Sequence, residues 1–186
     1  MTVWPWVLVG GVVWWLLFRY QKQTAMLGQC TVPQLPGAAG VVQTVALMRA
    51  MVNSSIADPL IRRHAVQAAD HCNRSDPRCV AHAIGEWTRS RIKYVPDPLH
   101  HEHLTSPSVM ATAIEEGKRV YGDCDDMAMY VAALGKSIGL QPVFQVVGRD
   151  KRFHHVYTEL AGVAVDPTVS LGIKPFPAKR RMTLKV

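Results

Sequence analysis

Cysteine is scarce in this chain and unevenly spaced. It occurs four times in 186 residues, at positions 30, 72, 79 and 124, with no Cys-x2-Cys pair and no His-x3-His. That spacing excludes the usual structural zinc patterns, and four scattered thiols do not make a disulfide framework. Cys72 and Cys79 bracket "NRSDPR" and leave two readings open: a disulfide across their turn in an oxidising compartment, or two small residues between consecutive helices. Internal repeats and low-complexity segments are also missing. Acids are the minority charge, 14 Asp and Glu against 21 Lys and Arg, for a net charge of +7. Such a balance favours anionic lipid head groups, nucleic acid or cell-wall polymers. The basic residues are nevertheless scattered, apart from "KRRMTLK" at 179–185, and are not interleaved with aromatics, so nucleic acid is not expected as a partner. With 48% hydrophobic and 19% charged residues, the chain reads as one globular domain.

Charge is absent altogether from residues 1–18, "MTVWPWVLVGGVVWWLLF", and Arg19 and Lys22 follow at once. About 20 apolar residues span a bilayer as a helix, with a lower limit near 17. Trp4, Trp6, Trp14, Trp15 and Tyr20 sit where interfacial anchors belong, and the two cations can snorkel. A cleaved signal peptide fits less well, because no positive n-region and no small-x-small cleavage site are present. "LGQC" at 27–30 has Gln29 where a lipoprotein signal wants a small residue. The expectation is a single-pass N-terminal anchor over 1–22, contacting a lipid bilayer through residues 3–20 of a bacterial or virion membrane. Positive charge after the span would put the rest of the chain on the cytoplasmic side of a bacterial membrane.

Residues 23–40, which include "AMLGQCTVPQLPGAAG", have a linker's composition, and the domain is expected over 41–186. Asp58-Pro59, Asp76-Pro77 and Ser106-Pro107 each place a capping side chain before a proline at the first helical position. Helices are therefore predicted near 59–71, 77–92 and from 107 to about Gly117. A further helix is predicted from Cys124 to Ile138, with Gly139 as its stop. Its residues Met127, Tyr130, Val131 and Leu134 lie at helical spacing from Cys124, so the thiol begins a face that looks into the domain. Beyond Gly139, "PVFQVVG", "FHHVYTEL" and "VAVDPT" are β-rich runs that suggest an antiparallel meander, giving an α+β class.

A thiol at the start of a helix is a candidate nucleophile if a base and an orienting group stand near it. If Ala161-Gly162 is a two-residue turn, paired positions sum to 323. His155, Tyr157 and Asp166 then share one face, with Asp166 diagonal to His155. A three-residue turn or a bulge would instead nominate His154. Asp123 suits the helix cap. Asp125 and Asp126 suit its first turn but oppose thiolate formation by like charge. "HHEH" at 100–103 is read as a polar loop near the cleft rather than a metal site.

The segments "GDCDDMAMYVAALGKSIGL", "HHVYTEL" and "VAVDPT", preceded by "IKYVPDP" and "LTSPSVMATAIEEG", resemble the transglutaminase-like superfamily of cysteine enzymes over roughly residues 80–170. The resemblance implies a papain-like α+β core, helices followed by an antiparallel sheet, with Cys124 as nucleophile, His155 as base and Asp166 as its orienter. It further implies a thioester intermediate and hydrolysis of an amide. The expected protein is a membrane-anchored peptidase or amidase, a thiol protease acting on a peptide or peptidoglycan substrate, or on protein in a phage particle. No cofactor and no metal are expected. Two rivals stand beside it. One is a catalytically silent, membrane-anchored structural or assembly protein with protein partners at a membrane or virion. The other is a redox protein using Cys72 and Cys79.

Overall fold

The computed structural model describes residues 28–33, 37–73, 75–149, 153–169 and 178–186. In chain order the elements are β1 (Gln29–Pro33), α1 (Gly37–Ser55), α2 (Pro59–Ala68), α3 (Pro77–Arg91), β2 (Ile92–Tyr94), β3 (His101–Thr105), α4 (Pro107–Glu115), β4 (Val120–Gly122), α5 (Cys124–Ser137), β5 (Val143–Gly148), β6 (His155–Leu160), β7 (Val163–Val165) and β8 (Arg180–Lys185). The class is α+β, with the helices first and an antiparallel sheet of order β7-β6-β5-β8 after them.

Local chemistry accounts for the helix starts. Asp58 accepts from the Leu60 N–H at 2.9 Å, and Asp76 from those of Arg78 and Cys79, each at 3.1 Å. Ser106 and Asp123 serve α4 and α5 in the same way. Gly117 (φ 68°) and Gly139 (φ 92°) follow α4 and α5 in left-handed backbone, the conformation that ends a helix cheaply only at glycine.

The core is organised around α5, which packs against α1, α2, α3 and α4 on one side and β6 on the other. Every residue from Asp126 to Gly135 is buried. The single inward face expected from Met127, Tyr130, Val131 and Leu134 is therefore too narrow a description, because a helix enclosed by other elements is apolar all round. Thr158 of β6 donates to the Ala128 carbonyl at 2.7 Å, satisfying a buried hydroxyl and tying sheet to helix. His64 is a satisfied core histidine, held between the Tyr130 hydroxyl at 2.6 Å and Glu115 at 2.8 Å.

Other segments depart from the sequence reading. Within the stretch expected to be a linker, β1 pairs antiparallel with β3, Gln29 opposite Thr105 and Pro33 opposite His101, and α1 begins at Gly37. The basic run at 179–185 is largely an edge strand, with Met182 and Leu184 half-buried between exposed Arg181, Thr183 and Lys185. Cys72 and Cys79 form a disulfide, their Cα atoms 5.7 Å apart.

The expected membrane architecture is corrected. No helix among the described residues is long and apolar enough to cross a membrane. The anchor expected over 1–22 falls outside the described residues. No described helix supports the single-pass span, the bilayer contact through residues 3–20, the membrane localisation or the membrane-anchored assembly protein, and these expectations are not proposed again.

Candidate functional site

The hairpin between β6 and β7 is where the sequence arithmetic meets geometry. Thr158 pairs with Val165, Glu159 with Ala164 and Leu160 with Val163, sums of 323 in each case. Ala161 (φ 51°) and Gly162 (φ 74°) form the turn, both left-handed, as the tight hairpin twist demands. Just past β7, Asp166 accepts from His155 Nε2 at 2.6 Å. Its other oxygen accepts from the Thr168 hydroxyl at 2.6 Å and the Thr168 N–H at 3.2 Å. Burial works to raise the Asp166 pKa, but the hydrogen bonds from His155 and Thr168 outweigh it and hold the carboxyl below the ordinary range. Tyr157 lies on the same strand face, its ring 6.3 Å from that of His155 and its hydroxyl accepting from Arg181 at 2.7 Å.

His155 and Cys124 line one cleft of ≈ 680 Å³. Its walls come from the first turns of α1 (Gly37, Val41, Val45), the segment between β2 and β3, the start of α5, and the facing ends of β5 and β6. Cys124 is a free, partly exposed thiol. Its Sγ lies 3.7 Å from Asp125 Oδ1, to which it donates, and it accepts from the Val156 N–H. Tyr121, three residues before Cys124, is 47% exposed and does not border the cleft.

The electrostatics of the floor run opposite to those of an activated cysteine. Burial, then the charges of Asp125 and Asp123, push the Cys124 thiol well above its usual value. The Val156 N–H pulls the other way without prevailing. Asp125 is also pushed well up, by burial and by Asp123, Glu102 and Asp126, and its carboxyl is hydrogen-bonded to that of Glu102. Asp123 rises to about 6, from burial and from Asp97, although the Asp125 and Asp126 N–H groups stabilise its charged form. Asp126 turns away to accept from the Thr105 N–H at 2.7 Å, and burial raises it to about 8. Even the Tyr94 hydroxyl, beside these groups, is raised by burial and by their charges.

Two triplets of donors converge here. The ligand atoms of Asp123, Cys124 and Asp125 lie within 4.8 Å of one another, and so do those of Asp97, Glu102 and Asp123. A cation about 2.0–2.3 Å from each donor fits between donors at most about 4.6 Å apart, which is close to this spacing. Asp123 belongs to both sets.

These findings correct the expected cysteine hydrolase. A nucleophilic cysteine acts as its thiolate. Here burial, with the charges of Asp125 and Asp123 after it, disfavours the thiolate, and the thiol stands among metal-ligand types. Cys72 and Cys79 are closed into a disulfide. The peptidase or amidase activity, the thiol-protease assignment and the peptidoglycan or phage-particle substrate are not carried forward.

Sequence reasoning missed Asp97 and Glu102. Asp97 lies in "VPDP", where its carboxylate also accepts from the His103 N–H. Glu102 lies in "HHEH", a cluster singled out for its histidines, whereas its acid supplies the donor oxygen. The signal was an acid inside that run, and no local pattern says that β3 turns it towards Cys124.

Comparison with known proteins adds no relative: no family model, no curated protein and no solved structure matches this chain.

Proposed function

We propose that this protein binds a divalent metal ion in the cleft at the start of α5, with Asp123 as the central ligand. The observation that carries the reading is the pair of donor triplets sharing Asp123. Their composition narrows the ion. Carboxylate oxygens alone suit magnesium, calcium or manganese, and the added thiol favours a borderline-soft ion of the zinc class. The physics agrees. Buried carboxyls that face one another must be neutralised by protons or by a cation, and Asp123, Asp125 and Asp126 all hold protons unusually well. Binding would displace those protons, so affinity would rise with pH. The open cleft would leave part of the coordination sphere for an external ligand.

On this reading Cys124 is the sulfur donor, and the His155–Asp166 pair is a rigid wall beside it. The resemblance to the transglutaminase-like superfamily is retained as a proposal about fold. It is supported by the order Cys124, His155, Asp166 on a helix start, a strand and a strand end, and kinship of fold does not carry chemistry with it.

The test is calorimetric titration of the chelator-stripped full chain with Zn²⁺, and with Co²⁺ for its thiolate-to-metal absorption band, without reductant so that the Cys72–Cys79 bond stays closed. One equivalent is expected to bind. Asp123→Asn should weaken binding at least tenfold, and Cys124→Ser should abolish the absorption band while weaker binding persists. The proposal fails if binding is not saturable or if Asp123→Asn leaves it unchanged. Fast, His155-dependent alkylation of Cys124 at neutral pH, indifferent to metal, would sink it equally.

A further inference from the structure

A second set of ligand types lies at the turn between α2 and α3. His71, Cys72 and Cys79 bring their ligand atoms within 4.8 Å of one another. While the two sulfurs are joined they are poor ligands. Reduction changes their chemistry without requiring the turn to open, because the turn is held by other bonds. The Cys72 N–H donates to the Ala69 carbonyl at 2.9 Å, and the Asp76 N–H to the Asn73 carbonyl at 2.9 Å. Asn73 Oδ1 accepts from the Ser75 N–H at 3.0 Å, and Asp76 caps α3 through the N–H groups of Arg78 and Cys79. Cys79 is the third residue of α3, where the helix N-terminus favours a thiolate. His71 is exposed, and both cysteines are partly so, which leaves a path for reductant and ion.

We propose that the Cys72–Cys79 clasp and His71 form a redox-gated zinc site, closed to metal as the disulfide and able to bind Zn²⁺ once reduced. In the first step a small dithiol, or two molecules of a monothiol, supplies two electrons and two protons. The S–S bond breaks, two Cys thiols form, and the reductant leaves as its own disulfide. In the second step Zn²⁺ replaces the two thiol protons, which pass to solvent, and His71 adds a neutral imidazole nitrogen. Three protein ligands leave the fourth tetrahedral position to water or to an outside donor. The consequence is a surface site that reads the redox state of its surroundings and exchanges a covalent clasp for a metal one. It is independent of the cleft site, sharing none of its residues.

The experiment counts zinc equivalents on the full chain by calorimetry, before and after reduction with a water-soluble phosphine, which is itself oxidised to the phosphine oxide. Reduced protein should bind one equivalent more than oxidised protein. The double variant Cys72→Ser/Cys79→Ser should lose that extra equivalent, and His71→Ala should weaken it at least tenfold, with α-helical circular dichroism unchanged. Asp123→Asn should leave it intact, so that failure of the cleft reading and failure of this one give different counts. No gain on reduction, or a gain that survives in the Cys72→Ser/Cys79→Ser protein, overturns the proposal. Loss of helical structure on reduction without zinc uptake does so as well.

Discussion

Ala161 carries local strain in the turn of the hairpin whose far end brings His155 to Asp166. A β-carbon in left-handed backbone clashes with the neighbouring carbonyl, a cost of roughly 1–2 kcal/mol that asparagine reduces by local hydrogen bonding. Ala161 is exposed and sits at φ 51° beside Gly162. Ala161→Asn creates the Asn-Gly pair preferred in such turns. It should stabilise the protein by about 0.5–1 kcal/mol in a denaturant titration, with the His155–Asp166 hydrogen bond unchanged. Asp126 offers a second residue-scale test. Its carboxyl is raised to about 8 and accepts the Thr105 N–H, so at neutral pH it is mostly a neutral acceptor. Asp126→Asn keeps that acceptor and removes the titration. Unfolding free energy should change little near pH 5 and rise above wild type near pH 9.

The element that decides the packing is α5, and Gly135 decides how near it comes to the sheet. A β-carbon at this position would lie 2.6 Å from Leu160 Cδ2 and 3.0 Å from Cδ1. Leu160 is fully buried in β6, so it has little room to yield. Gly135→Ala gains helix propensity but overpacks this contact, and a net loss of about 1–3 kcal/mol is expected in thermal or chemical unfolding. Were the variant as stable as wild type, the close approach of helix and strand would not be what holds α5. Because the same helix begins with Asp123 and Cys124, a shift of its axis would also move the donor set, and zinc affinity should fall together with stability.

For the whole molecule, charge distribution matters more than net charge. The chain is basic overall, yet Asp97, Glu102, Asp123, Asp125 and Asp126 gather at the start of one helix. Asp123 and Asp126 have folded-state pKa values raised from 3.8 to about 6 and about 8, so between about pH 4 and 8 the folded protein binds more protons than the unfolded chain. The stability this contributes is fully present below the unfolded value and is lost as pH rises through the folded ones. Asp166 has the opposite sign: its depressed pKa stabilises the fold above 3.8 and that contribution disappears under strong acid. Metal-free protein should therefore melt at a higher temperature near pH 5 than near pH 9 in a calorimetric scan. A saturating divalent ion, which needs the deprotonated carboxyls, should narrow that difference by stabilising the alkaline form more. A melting temperature that climbs steadily from pH 5 to 9 without metal would contradict the proton-holding cluster.

What the sequence determined by itself was local. Asp58, Asp76, Ser106 and Asp123 capped the helices they precede, and the β6–β7 register followed from a two-residue turn, because caps and tight turns are settled among residues a few positions apart. The convergence of His155 with Asp166 was legible for the same reason, since eleven positions and one hairpin separate them. The tertiary structure decided the enclosure of Cys124. The charges that oppose its thiolate, Asp123 and Asp125, adjoin it in the chain, but the burial that raises it most, and the Asp97 and Glu102 carboxyls that act on Asp123 and Asp125, come from segments that no periodicity joins to residue 124. It also decided that Gln29–Pro33 would be a strand, since an extended stretch becomes one only when β3 presents an edge for it to pair with.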